Sequence, residues 1–269
     1  VLLRESSDGS LSAYNALFDE CYHSLKDGAL NETLHKHIYP SLAHLTSINT
    51  TNAILESSIA NIIKKEDFPS ALPQHIYALD ICFGLGYNSF ALLATLATMG
   101  YEGEISIYSP EQDYNIFDNL LDFTYPPFLS AYQKPINELL RFCAATPNSC
   151  VCVKSMAFHT LKLNFYIYRG DALAMLALLP KDYFYIIYQD AFSPKKNPAL
   201  WSEAYFRTLF TLLDSQGIIT TYSQSSAIVK NAINAGFKVY NYESSLVRPS
   251  TLMGKNALTL NDIKQRFKK

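Results

Sequence analysis

From residue 76 to residue 242 short apolar runs of strand type alternate with helical spacing, and this alternation leaves few folds open to the chain. Residues 76–81, 103–108, 183–189, 217–222 and 237–242 read as strands. Residues 89–99, much of 112–145, 170–179, 198–213 and 225–234 read as helices. Strands separated by helices predict an α/β chain, with a mostly parallel twisted sheet, helices on both faces and right-handed crossovers. Residues 150–156 and 161–168 alternate like the two strands of a hairpin, and 256–260 is expected to close the sheet. Upstream, 10–18 reads as a strand, 21–28 as a loop, and 29–45 and 52–65 as helices. The expected organisation is an N-terminal extension, 1–75, packed on a main domain, 76–269, with a helical and hairpin insert at about 122–165.

Composition narrows the function classes. Hydrophobic residues make up 49% of the 269 and charged residues 17%, which excludes wholesale disorder. A net charge of −2 gives the whole chain no electrostatic draw toward nucleic acid or membrane, so a polyanion site must come from local clustering. Five cysteines, an odd number without paired spacing, fit a reducing compartment. No apolar run approaches the ~18 residues of a membrane span, so a cytoplasmic location without membrane contact is expected. His23 has no His, Cys or acid at metal spacing, so no metal is expected.

Candidate chemistry gathers at the carboxyl ends of the strands, where open α/β sheets bind ligands. After 76–81 comes the turn Cys82-Phe83-Gly84-Leu85-Gly86-Tyr87-Asn88, preceded by Asp80. Its glycines let a ligand approach the backbone, but Cys82 breaks the three-glycine dinucleotide pattern. Asp80 with Gly84 and Gly86 suits a nucleoside that carries an amino-acid tail, because a carboxylate can hold an ammonium group. Glu111, after the second strand, suits ribose hydroxyls or is a solvated helix-start acid. Asp171, in Gly170-Asp171-Ala172, suits an adenine amino group or caps the helix that follows. Together these acids suggest adenosine rather than a phosphate group. Asp190-Ala191-Phe192-Ser193-Pro194 ends the strand at 183–189. There a carboxylate can aim an amine lone pair, a ring can stack on a base, and Pro194 stiffens the loop. The bland alternative is a strand-end cap with Phe192 in the core. Lys195 and Lys196 form either a solvated turn or a phosphate contact.

The run Asp190 to Trp201, with Phe83 to Asn88 and Tyr22-His23-Ser24 before Gly28-Ala29, resembles the methyltransferase half of the bifunctional tRNA 5-methylaminomethyl-2-thiouridine biosynthesis protein MnmC and its stand-alone relatives. The resemblance covers most of the chain. It implies a Rossmann-like class I fold and S-adenosyl-L-methionine as cofactor. It also implies methylation of 5-aminomethyl(-2-thio)uridine at the wobble position, with the tRNA anticodon stem-loop as partner. On that resemblance Asp80, Phe83, Gly84, Gly86, Asn88, Glu111, Gly170, Asp171 and Asp190 hold the cofactor, and Asp190 is catalytic. Phe192, Pro194, His23, Lys26, Lys195 and Lys196 contact substrate. Cys82 stands where the family usually has glycine, and the family's FAD-dependent half is not expected in this chain. Two other readings keep the fold: transfer to a small-molecule amine, including aminopropyl transfer, or a non-catalytic RNA- or nucleotide-binding module. The basic tail, 264–269, is expected to be solvated.

Overall fold

The computed structural model describes residues 2–49, 71–260 and 263–267. The helix expected over 52–65 lies outside these. Strands β1 (Leu2–Glu5), β2 (Leu11–Asn15) and β3 (Glu20–Cys21) form a small antiparallel sheet. Helix α1 (Ala29–Thr33), a wide π turn (Leu34–Ile38) and α2 (Tyr39–Asn49) follow without a break. The main alternation then runs β4 (His75–Ile81), α3 (Tyr87–Thr98), β5 (Glu104–Glu111), α4 (Ile116–Leu120), α5 (Pro127–Ser130) and α6 (Gln133–Ala145). Next come β6 (Val151–Phe158), β7 (Leu161–Arg169), α7 (Ala172–Leu176) and β8 (Phe184–Gln189). The chain finishes with α8 (Glu203–Leu212), β9 (Leu213–Thr221), α9 (Ser226–Ala235), β10 (Lys238–Tyr242), β11 (Ser250–Gly254) and β12 (Ile263–Arg266).

Among the described residues the main sheet has nine strands, in the order β12-β10-β11-β9-β8-β4-β5-β7-β6. Its centre is parallel: β4 pairs with β5 and β8, β5 with β7, and β8 with β9. Both edges are antiparallel. Sequence pattern explains the difference. Central β8 is a nearly continuous buried run, as a strand covered on both faces must be, whereas edge strand β6 alternates exposed and half-buried residues. One face carries Ile76, Ala78, Ile105 and Ile107 against α3 and the N-terminal helices. The other carries Leu79, Ile81, Ile187 and Ile219 against α7, α8 and α9.

Three expectations are corrected. Residues 256–260 form no strand; fully buried β11 closes between β9 and β10 instead. The basic tail is not all solvated, because β12 pairs antiparallel with β10 through Tyr242↔Ile263. The helix expected over 198–213 is interrupted. A 3-10 turn, Pro198–Trp201, gives way at Ser202, whose hydroxyl accepts the Tyr205 N–H at 3.2 Å and starts α8 afresh. Residues 122–165 supply α5, α6, β6 and the first part of β7. No helix among the described residues is long and apolar enough to cross a membrane.

Candidate active site

From β4 the strand order runs outward through β5 and β7 on one side and through β8 and β9 on the other. The junction of β4 and β8 is therefore a topological switch point, where diverging loops open a crevice at the strand ends. A cavity of about 770 Å³ lies there, lined by the ends of β4, β5, β7 and β8 and by the β2–β3 hairpin with the loop after it.

The turn after β4 forms one wall. Cys82, Gly84 and Gly86 all have left-handed backbones, with φ of 67°, 55° and 77°. A Cβ on Gly86 would meet the Phe90 ring at 2.6 Å, so that glycine is demanded by core packing. Gly84 faces the cavity, and a Cβ there would stand 3.1 Å from the Tyr22 ring. Cys82 adopts a conformation that costs a non-glycine residue ~1–2 kcal/mol. Cys82→Gly removes that strain and adds some unfolded-state entropy, so a gain of up to ~1 kcal/mol is expected. A denaturant midpoint unchanged or lowered in the variant would refute the strain.

Buried carboxylates organise the floor. Glu111 accepts the Gly84 N–H at 2.7 Å on one oxygen and the Asp113 N–H at 2.7 Å on the other. Burial pushes its pKa up to about 7, with the Asp113 and Gly84 amides pulling downward. Asp80 does not reach the cavity. It is 1% exposed and accepts from Ser89 Oγ at 2.6 Å and from Asn88 Nδ2 at 3.4 Å. Burial pushes its pKa up to about 7 as well, against the Ser89 hydroxyl. Asn88 Nδ2 also donates to Asp190 Oδ2 at 2.9 Å, so it ties the turn after β4 to the end of β8. Phe83 packs in the core against Phe90, Phe117 and Phe165. Gly84, Glu111, Gly170, Asp171 and Asp190 line the cavity, while Asp80, Phe83, Gly86 and Asn88 stand behind it. Asp171 caps α7 through the Ala174 N–H at 3.2 Å and also lines the cavity.

The opposite wall joins the Asp190 loop to the N-terminal hairpin. Phe192 stacks on Phe18, centroids 4.5 Å apart at 19°, and lies 5.0 Å from the Tyr22 ring. The Ser193 N–H donates to Glu20 Oε2 at 3.1 Å, and Lys196 Nζ to Asp19 Oδ2 at 3.1 Å. Lys196 is therefore held by a carboxylate, and Lys26, Pro194 and Lys195 do not line the cavity. His23 is buried and lines it, edge-on to Tyr87 and 3.9 Å from Glu32. Sequence reading missed Phe18, Glu20, Glu32, His37 and Arg248, which sit in stretches without a motif. The one available signal for His37 was the polar run His35-Lys36-His37 within a stretch read as a helix.

Electrostatics select the occupant. Glu20, Glu32, Glu111, Asp113, Asp171 and Asp190 line the cavity against Arg248 as the one permanent cation among the described lining residues. Arg248 is itself bonded to Asp27 at 3.1 Å and to Ser24 at 2.8 Å. Such a chamber favours cations over phosphate.

Residues 132–254 match a family model described as S-adenosyl-L-methionine-dependent methyltransferase. The MnmC2 structure from Aquifex aeolicus superimposes with a TM-score of 0.68 at 24% identity, covering 96% of this chain and 72% of that one. An uncharacterized protein of Methanocaldococcus jannaschii is 23% identical over 243 residues, 90% of this chain and 56% of that protein. The bifunctional protein MnmC of Burkholderia thailandensis is 37% identical over 100 residues, 36% of this chain and 14% of that protein. The chain thus spans about half the length of the first of these curated relatives and a small part of the second.

The cavity fits the cofactor that the family model names. Gly84 leaves the cradle free of a side chain, Glu111 keeps unused lone pairs for hydroxyl donors, and the surrounding carboxylates suit a sulfonium and an ammonium group. Fold, matched region and donor set agree: the chain has a Rossmann-like class I fold, its residues 132–254 match the S-adenosyl-L-methionine-dependent methyltransferase family, and it is similar to the methyltransferase half of MnmC.

Proposed function

We propose that the protein methylates the amine of 5-aminomethyl(-2-thio)uridine at the wobble position of tRNA, giving 5-methylaminomethyl(-2-thio)uridine. The observation that carries this reading is the Asp190 carboxylate, whose side chain is 9% exposed, facing an acid-lined cavity at the switch point. An acceptor that enters as a cationic amine is drawn in by this lining. Bound S-adenosyl-L-methionine supplies an electrophilic methyl group. Once the ammonium group has lost a proton, Asp190 accepts a hydrogen bond from the neutral amine, turning its lone pair toward the methyl group, and takes up the proton that the methylated nitrogen then releases. Phe192 and Phe18 offer ring surface to a pyrimidine extruded from a single-stranded loop. Gly84, Glu111, Gly170 and Asp171 hold the adenosine side. The similarity to MnmC supports tRNA as the acceptor, and the cytoplasm is the location that goes with this reading.

The test uses tRNA that carries 5-aminomethyl-2-thiouridine and isotopically labelled cofactor, followed by digestion and mass analysis of the nucleosides. Label in 5-methylaminomethyl-2-thiouridine is expected. Label found only in added diamines would replace this reading with a small-molecule amine acceptor, which the same excess of carboxylates also suits.

Glu111 gives a pH prediction. Its raised pKa means that the neutral form dominates below about 7, while ribose hydroxyl donors favour the charged form. Affinity for S-adenosylhomocysteine should therefore rise as pH increases toward about 7, by at most about tenfold per unit, and level off above. In the unliganded protein the sign is opposite. The stability this acid contributes is complete below its ordinary value of 4.5 and is lost as pH rises through about 7. Calorimetry across this window should show the affinity slope in the wild type and none in Glu111→Gln. A slope retained in the variant would assign it to another group.

A further inference from the structure

We propose that His37 is a positioning residue for the methyl transfer, presenting an Nε2–H to Asp190 so that the carboxylate lone pairs left free are the ones facing the amine. The inference rests on Asp190 acting on the acceptor, as argued above, and deepens that reading.

His37 lies in the π turn between α1 and α2, a rare local geometry that recurs at functional sites. The turn sits where two adjacent polar side chains, Lys36 and His37, are both driven inside, at 2% and 0% exposure. Lys36 is consumed by Asp27 and Glu32. His37 is differently placed. Its Nδ1 lies 2.7 Å from Thr220 Oγ1 on β9, its ring stands edge-on to Tyr188 of β8, and its Nε2 has no hydrogen-bond partner. The carboxylate facing that nitrogen belongs to Asp190, with Oδ1 at 3.7 Å.

An orphaned polar atom in a site without water access costs about as much as a lost hydrogen bond, so its retention calls for a cause. The tautomer supplies one. When the Thr220 hydroxyl donates to Nδ1, the ring proton sits on Nε2 and points at the carboxylate. The reverse tautomer would set a lone pair against a negative oxygen. Burial lowers the His37 pKa, so the ring remains a neutral donor, with Asp190, Glu32, Lys36 and His23 as the surrounding charged and titratable groups. Asn88 Nδ2 already donates to Oδ2, and closing the 3.7 Å gap between His37 Nε2 and Oδ1 gives Asp190 one donor per oxygen. That fixes the carboxylate plane and leaves the remaining lone pairs toward the cavity. Separations of this kind in an unliganded site shorten once substrate is bound.

Two measurements test this. The first compares His37→Leu, which removes the donor, with His37→Gln, whose amide can restore it, with thermal unfolding followed in both. Turnover of the tRNA substrate should fall about 10²-fold in His37→Leu, as expected for a misaimed catalytic group, with S-adenosyl-L-methionine affinity unchanged. His37→Gln should recover about tenfold of that loss. Equal losses in the two variants would reduce His37 to a packing residue. The second measurement is independent of the acceptor. Nitrogen NMR of the histidine rings should show the Nε2–H tautomer at His37, with its resonance displaced by Asp190→Asn. An Nδ1–H tautomer, or a resonance indifferent to Asp190→Asn, would overturn the proposal. Failure of the wild type to methylate tRNA removes the substrate reading while the NMR result still decides the role of His37.

Discussion

Asp190→Ala should bind S-adenosyl-L-methionine with near-normal affinity and lose about 10²- to 10⁴-fold in turnover on the amine acceptor. The separation of effects follows from where the side chains stand. The wall proposed to hold the adenosine is built by Gly84, Glu111, Gly170 and Asp171, at the ends of β4, β5 and β7. Asp190 directly follows β8, and the Asn88 amide bond to it at 2.9 Å is one contact among many holding the turn after β4. Removing the carboxylate leaves the cradle intact and takes away the acceptor that aims the amine. Asp190→Asn sharpens the point. It keeps an oxygen for the hydrogen bond but no site for the proton, so its loss should lie between wild type and Asp190→Ala. Single-turnover rates with calorimetric affinities check both, and near-normal turnover in Asp190→Ala would remove this aspartate from the chemistry.

The largest effect on stability is expected from Lys36→Ala, about 3–5 kcal/mol. The ammonium group is 2% exposed and lies 2.7 Å from Asp27 Oδ2 and 2.8 Å from Glu32 Oε1. Its removal leaves two buried carboxylates facing each other with only the rim residue Arg248 to compensate Asp27. The damage should also reach the site. Glu32 accepts the Ser24 N–H at 2.7 Å, and Arg248 bonds the Ser24 hydroxyl, so this cluster pins the loop that carries Tyr22 and His23 along the cavity. Chemical denaturation gives the stability loss. A variant less than ~1 kcal/mol below wild type would show that water or a relaxed backbone replaces the ammonium group.

Much of this fold was legible because parallel strands buried on both faces announce themselves. The run from Tyr183 into Asp190 reads as a core strand that ends in a functional loop, and β8 occupies that place. Readings failed where partners decide the outcome. Residues 250–254 and 256–260 have similar apolar content, but only the first meets β9 and β10 in register. Residues 264–266, within the basic tail 264–269 that reads as solvated, pair because β10 offers an unpaired edge. At the site, acids at strand ends were visible as such, yet the direction each one faces depends on neighbours. Asp80 turns away from the cavity because Ser89 and Asn88, on the following helix, claim its oxygens. Phe18, Glu20 and Glu32 flank the Tyr22-His23-Ser24 segment but belong to no motif themselves, and their role appears only once the hairpin is seen against Phe192.

Placing the crevice at the β4–β8 junction has a kinetic consequence. Asn88 and Asp190 are 102 positions apart, and His37 and Thr220 are 183 apart, so the two walls meet only after long loops have closed. Local structure such as the β6–β7 hairpin forms without those closures. During refolding, recovery of S-adenosylhomocysteine binding should therefore trail the return of far-ultraviolet dichroism, and ligand capture marks the moment at which the last central strand docks.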